Sequence, residues 1–415
     1  MKKIFYPIAV LSMACVTATG GFIKNPYKEG YQEREKAVQT CTFTQNCRET
    51  SPTKAVLSEN SLQIRAKSAY LLEFETGTPM YALNETAHLP IASMCKIMTL
   101  LLSFEAIDNK IMDINEEIVV SERAASMGGS QVFLEANAKY PVKELLKSIV
   151  VCSANDSCVA LAEKIAGNES AFTDKMNEKA KELGANDTLF ANCTGLPKEP
   201  QYSCAKDVGI MLKALLTHKE YFEYGSVWMD KFVHPKGRFT EITNTNKLVR
   251  FYDGCDGGKT GFTNQAGFCL AATAKRNDLR VISVVIGEEN SANRFEDSRA
   301  MLDYAFANYM VAPVVEAGKP LENAVKIEGG KEKSVLVYPA RSAVAFMKRG
   351  EKPNLKTEIV LDKLRAPIEK GDCVGQLIVY VDNVETQRVD LLANATVKKA
   401  NLFDRIRDVA RGWNG

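Results

Sequence analysis

Three groups of polar residues in this 415-residue chain could do chemistry together: Ser93 with Lys96, Ser153 with Asn155, and Lys259-Thr260-Gly261. Ser93 and Lys96 stand at the head of the apolar run from Pro90 to Leu102. Pro90 bars a helix from extending backward and no breaker follows Ser93, so the pattern predicts a helix beginning near Ser93. Positions i and i+3 of a helix share a face, which makes the Ser93 hydroxyl and the Lys96 amine neighbours. An amine desolvated by apolar side chains loses proton affinity and can act as a base near neutral pH. The helix N-terminus would favour negative charge developing on Ser93. Alone, Ser-x-x-Lys is weak evidence, because it recurs by chance in chains of this length.

The elements around these groups decide whether they can meet. Ala66 to Phe74 is strand-like, Glu75 to Thr78 a turn and Met80 to Ala82 a return strand, a hairpin that leads into the Ser93 helix. Ser153-Ala154-Asn155 interrupts two helical patterns, one through Leu145, Leu146, Ile149 and Val150, the other through Val159, Leu161, Ala162 and Ile165. Polar residues there either cap a helix or face a site, and the pattern leaves both open. Lys259-Thr260-Gly261 lies on or just before a hairpin made of Gly267 to Ala274 and Val281 to Ile286. Further helices are expected at 169–183, 205–216 and 294–309. From Val314 to Val397 the text changes to short strands with polar turns, a small separate all-β domain without a catalytic group.

Composition bounds the partners. Hydrophobic residues make up 46% and charged residues 25%, an ordinary globular balance, and the formal net charge of +2 gives no field for nucleic acid. Met1-Lys2-Lys3, the apolar run Ile4 to Val16 and the small residues Ala18 to Gly21 have the layout of a secretory signal over 1–21. An uncleaved tether and a lipoprotein at Cys15 are the alternatives. Residues 22–61 read as a polar extension. Cys95, Cys152, Cys158 and Cys269 sit in apolar runs, where free cysteine behaves as a small hydrophobe, and no cysteine or histidine spacing suggests a metal. Cys95 and Cys152 adjoin the polar groups, so packing and thiol reactivity both stay open. At the C-terminus, Leu402, Phe403, Ile406, Val409, Ala410 and Trp413 follow a helical period with basic residues opposite. This predicts an amphipathic helix over 398–415 lying on a membrane surface; the alternative is docking on its own domain.

Taken in order, Ser93-x-x-Lys96, Ser153-x-Asn155 and Lys259-Thr260-Gly261 match the three motifs of the penicillin-interacting serine enzymes. From Ala66 to Tyr309 the chain resembles the low-molecular-mass penicillin-binding proteins that are serine-type D-alanyl-D-alanine carboxypeptidases. Ala69-Tyr70-Leu71-Leu72, Ser153-Ala154-Asn155-Asp156 and Asp256-Gly257-Gly258-Lys259-Thr260-Gly261 carry the likeness. It implies an α+β fold: a β-lactamase/transpeptidase-like domain (62–311) with an antiparallel sheet and a helical cluster, then a β-rich domain (312–397) and the terminal helix. It also implies an exported enzyme at the outer face of the cytoplasmic membrane, periplasm or cell wall. That enzyme would trim the terminal D-alanine from peptidoglycan pentapeptide stems without a cofactor or metal, and β-lactams would inhibit it covalently.

On this resemblance Ser93 attacks the carbonyl, Lys96 takes its proton, Ser153 relays a proton to the leaving amine with Lys259 polarising it, and Asn155 offers its amide to the substrate backbone. The oxyanion would bind the N–H groups of Ser93 and of Phe262, after Gly261, and the substrate carboxylate would meet Thr260 and Arg294. A histidine-based triad would need His88, His218 or His234 nearby, and none is well placed in the sequence. The second motif has Ala154 where class A β-lactamases have aspartate, which tilts away from them. A β-lactamase, a D,D-endopeptidase and a penicillin-binding wall protein without turnover are the competing readings.

Overall fold

The computed structural model describes residues 36–43, 62–321, 324–362, 364–401 and 404. The expected signal segment (1–21) lies outside the described residues, as does the expected terminal helix from 402 on apart from Asp404. Two compact units part between Asn308 and Tyr309, close to the 311/312 boundary expected from the sequence.

In the first unit, β1 (Ser68–Glu73) and β2 (Pro79–Leu83) form the expected hairpin. β1 is buried along its whole length and pairs with the last strand of a meander. That meander is β5 (Cys255–Thr263), β6 (Gly267–Arg276) and β7 (Leu279–Glu288). The sheet is antiparallel, in the order β2-β1-β7-β6-β5, so β5 is an edge strand. The glycine-rich stretch before Lys259 is therefore strand. Its low strand propensity is overridden because a Cβ at Gly258 would stand 2.2 Å from the Ala271 carbonyl oxygen and one at Gly257 2.8 Å from the Tyr221 ring.

The helical cluster comprises α1 (Lys96–Asp108), α2 (Val142–Cys152), α3 (Asn155–Ala166), α4 (Glu169–Glu182) and α5 (Ala205–Leu215), while α6 (Ser291–Asn308) packs on β6 and β7 of the sheet. α1 is apolar almost all round and buried almost all round, which makes it the core of the cluster. α2 starts immediately after Pro141, whose ring suits a helix start. A hairpin of β3 (Met229–Val233) and β4 (Phe239–Thr243), absent from the sequence reading, follows the cluster.

The second unit is all-β. Strands Leu355–Asp362, Cys373–Val381 and Val384–Ala393 run antiparallel, with Val337–Pro339 on one edge. Strand Lys36–Phe43 pairs on the other edge, in register Lys36 with Asp362 and Phe43 with Leu355, within what the sequence reads as an unstructured extension. Alternate residues Leu377, Val379, Val389 and Leu391 fill the core, the period-2 pattern a half-buried sheet requires. The terminal-helix expectation needs one correction. Lys398 to Ala400 run along this unit, with Lys399 bridging Gly330, because Val397 and Ala400 are buried there. Asn401 and Asp404 then exchange side-chain to backbone hydrogen bonds, a reciprocal pair typical of a helix start.

Candidate active site

Ser93 lies in a 3-10 turn, Ala92–Cys95, that feeds directly into α1. Ala92 has φ +46°, a left-handed conformation that costs a non-glycine residue about 1–2 kcal/mol. The turn is wedged between two backbones. A Cβ at Gly195 would lie 2.0 Å from the Ala92 carbonyl oxygen, and one at Gly261 2.5 Å from that of Ile91, so only glycine fits at either position. The strained turn is thus held by main-chain contact from the 192–196 loop on one side and β5 on the other.

Lys96 is fully buried at the head of α1. Its Nζ donates to Ser93 Oγ at 2.9 Å and to the Thr194 carbonyl at 2.6 Å. Burial lowers its pKa, which favours the neutral amine. The Thr194 carbonyl is aimed by Asn192, whose Oδ1 accepts from the N–H groups of Thr194 (3.1 Å) and Gly195 (2.7 Å) and whose Nδ2 donates to the Leu196 carbonyl (2.8 Å). Cys95 points the other way. Its buried thiol donates to the Asn192 carbonyl at 3.2 Å, and burial raises its pKa, so it is a packing residue. Cys152 donates to the Ser148 carbonyl at 3.2 Å and is pushed up to about 12 by burial.

Ser153 takes the left-handed C-cap of α2, φ +64° and ψ +35°, which turns the chain sharply into α3. It does not cap α3, the alternative the sequence left open, and its buried hydroxyl has no hydrogen-bond partner in the protein. Asn155 is equally buried. It donates from Nδ2 to the Gly128 carbonyl and from its N–H to the Ser130 carbonyl, both at 2.7 Å, and leaves Oδ1 unpartnered. Unpartnered buried oxygens of this kind are the groups a bound molecule would satisfy.

Lys259 is buried on β5, and its Nζ reaches the Thr260 carbonyl at 3.1 Å. Burial, and then the neighbouring Lys96, hold its pKa well below the lysine range. Gly261 lies against the nucleophile turn, and the half-exposed Phe262 ring packs on Phe268. Arg294 is buried beside the Phe268 and Phe295 rings and donates to the Gly261 carbonyl at 3.4 Å. The Gly261 C=O and the Phe262 N–H are two ends of one peptide, so the guanidinium reaches that N–H through the peptide dipole. Burial lowers the Arg294 pKa.

One residue that the sequence reading missed joins this group. Thr260 Oγ1 donates to Thr245 Oγ1 at 2.7 Å. Thr245 sits in a turn clamped by its neighbours: Asn244 Nδ2 donates to the Val227 carbonyl at 2.8 Å and Asn246 Nδ2 to the Gly257 carbonyl at 3.1 Å, while the Thr245 N–H reaches the Val151 carbonyl at 3.0 Å. The cue in the sequence is two asparagines flanking a threonine, which alone reads as an ordinary turn. Of the histidines, His88 pairs with Asp187, His218 with Asp108 and His234 with Tyr140, so the hydrogen-bonded neighbour of Ser93 is Lys96.

Residues 53–290 match the D-alanyl-D-alanine carboxypeptidase family, and residues 309–399 match the penicillin-binding protein 5 C-terminal domain. The D-alanyl-D-alanine carboxypeptidase DacF of Bacillus subtilis is 39% identical over 356 residues, covering 85% of this chain and 91% of that protein. The crystal structure of penicillin-binding protein 5 from Haemophilus influenzae aligns with a TM-score of 0.63 at 29% identity, over 81% of this chain and 98% of that one. Penicillin-binding protein D2 of Listeria monocytogenes in its ampicillin-bound form aligns with a TM-score of 0.51 at 31% identity, over 59% of this chain and 99% of that one. The strained serine turn, the buried lysine and the edge-strand Lys-Thr-Gly thus sit in a chain that belongs to the D-alanyl-D-alanine carboxypeptidase family.

Proposed function

We propose that this chain removes the terminal D-alanine from peptidoglycan stems through an ester on Ser93. The observation that carries this reading is the 2.9 Å contact between Ser93 Oγ and a lysine that burial biases toward its neutral form. Lys96 takes the hydroxyl proton as Oγ attacks the penultimate D-alanine carbonyl. The oxyanion is received by the N–H groups of Ser93 and Phe262, the latter polarised by Arg294 on the Gly261 carbonyl. The C–N bond then breaks and the departing amine takes a proton through Ser153, whose hydroxyl has no protein partner and lies in the field of the buried Lys259. Asn155 Oδ1 accepts from a substrate N–H. The free carboxylate meets the Thr260 and Thr245 hydroxyls. Water hydrolyses the ester by the same route in reverse, and a β-lactam amide acylates Ser93 in the same way.

The test combines two substrates. Purified protein is expected to release D-alanine from a D-Ala-D-Ala pentapeptide and to retain label from a radioactive penicillin. Rapid loss of the label with no D-alanine release would instead mark a β-lactamase, and labelling without any turnover a binding protein.

The expected export signal and the basic terminal segment support placing the enzyme at the outer face of the cytoplasmic membrane, held there by the segment after Asn401. Deleting residues 402–415 is expected to move the protein from the membrane pellet to the soluble fraction while D-alanine release stays within about twofold. Pelleting that does not change would rule out this anchor.

A further inference from the structure

Between Met127 and Glu135 the chain crosses the site as an irregular strap with two sets of anchors. On the inner side it supplies the carbonyls of Gly128 and Ser130 to Asn155. There, too, the N–H groups of Val132 and Leu134 donate to the buried Asp156 carboxylate at 3.1 Å each. On the outer side it is tied to the β3–β4 hairpin. Arg238 donates to the Phe133 carbonyl at 2.9 Å and to Glu135 Oε1 at 3.1 Å, and Thr240 Oγ1 donates to the Val132 carbonyl at 3.3 Å. Tyr140 accepts from the Glu135 N–H at 3.2 Å. Phe133 has φ +63°, so the strap holds a conformation that its own sequence does not favour.

His234 is 3% exposed and stands at the centre of the outer anchors. Its Nδ1 lies 2.9 Å from an Arg238 nitrogen and 3.1 Å from Tyr140 Oη, and its Nε2 lies 2.9 Å from Thr240 Oγ1. A guanidinium only donates, so its contact favours Nδ1 as acceptor and the ring proton on Nε2. Nε2–H then donates to Thr240, which frees the Thr240 hydroxyl to donate to the strap at Val132. The neutral ring suits this arrangement, with Nδ1 accepting on the Arg238 and Tyr140 side and Nε2–H donating to Thr240. An imidazolium would aim an N–H at the Arg238 N–H groups, two positive charges in contact. Arg238 would have to withdraw, taking its bond to Phe133 with it.

We propose that His234 is a positioning residue for the reaction: neutral, it locks the strap that holds Asn155, and on taking a proton it releases that strap and slows turnover. The proposal rests on the reading of Asn155 as part of the machinery. Arg238 faces His234 from its own hairpin, Glu135 from the strap and Tyr140 from the strand before α2, while Asp156 lies across the strap. Burial and then Arg238 hold the imidazole below its ordinary pKa, with Glu135 opposing. The lock is therefore intact above the ordinary imidazole range and is lost as pH falls through the lowered value.

The test is kcat/KM for a D-Ala-D-Ala pentapeptide from about pH 8 down to about pH 4.5, each profile normalised to its own value at the alkaline end. The full chain is expected to lose roughly fivefold or more beyond what His234→Asn loses at the acid end, because the amide keeps an acceptor but cannot take the proton. Arg238→Gln removes both the repelling charge and the tie that it would break, so its normalised acid limb is expected to flatten toward that of His234→Asn. It also decides the matter if His234→Asn does not fold. Limbs superimposable on that of the full chain, or losses equal at every pH, would overturn the proposal. Lys96 and Asp156 titrate alike in every variant and cannot produce the difference. Penicillin labelling of Ser93 run alongside separates a failure of this proposal from a failure of the serine mechanism.

Discussion

Ser93→Ala is expected to abolish covalent penicillin labelling and to cut D-alanine release by at least about 10,000-fold. The size follows from chemistry, because no ester can form without the hydroxyl and nothing else near Lys96 can replace it. The nearest thiol in sequence, Cys95, is turned into the core toward the Asn192 carbonyl. The fold should be indifferent. The turn is held by main chain at Gly195 and Gly261, and the lost hydroxyl accepts a hydrogen bond from Lys96. Thermal unfolding is therefore expected within about 1 kcal/mol of the parent, so a lost activity would be read as lost chemistry. Residual labelling of Ser93→Ala at the parent rate would place the nucleophile elsewhere.

Lys96→Met is expected to reduce D-alanine release by about 1,000-fold or more and, at the same time, to stabilise the protein at mildly acidic pH. The native lysine is buried and its pKa is lowered, whereas the unfolded chain keeps the ordinary lysine value of 10.5. Between those two values the unfolded state binds more protons than the folded one, so stability of the parent rises with pH across that window. Methionine matches the shape without the titration. The variant should exceed the parent by about 1–2 kcal/mol near pH 6, and the gap should shrink as pH approaches the lysine range. Denaturant unfolding at both pH values checks this. A gap that does not depend on pH would mean that Lys96 enters the folded state charged.

The candidate catalytic groups could be read from the sequence because each depends on residue type at short spacing. Ser93 and Lys96 meet through one helical turn, and α1 is so uniformly apolar that burial of Lys96 could be foreseen from its neighbours. The second domain was legible through the period-2 alternation of its strands. Other parts depended on distant backbone. β5 reads as a glycine-rich loop until the Ala271 carbonyl and the Tyr221 ring are placed against it. Thr245 belongs to the site only because Asn244 and Asn246 clamp its turn to carbonyls at 227 and 257. The left-handed Ala92 has no local signal at all, since alanine does not favour that conformation and the constraint comes from Gly195 a hundred residues on. Arg294 lies near the site, with its guanidinium buried on the Gly261 carbonyl.

The contact between the Ser93 turn and β5 also bears on how this enzyme could escape an inhibitor. Gly261 meets Ile91 and Met94 backbone directly, without a side chain between them. In the proposed mechanism the gap from the Ser93 hydroxyl to the Phe262 N–H is therefore a hard stop, set by the thickness of two polypeptide backbones. Point mutation has no dial for that length: any side chain added at 195 or 261 collides, and none is present to trim. Selection by a β-lactam would have to work on the rim instead, where the half-exposed Phe262 and the partly exposed Leu196 can change size without disturbing the turn. Resistance in such a site should come as altered access and release, with the attack geometry left as it is.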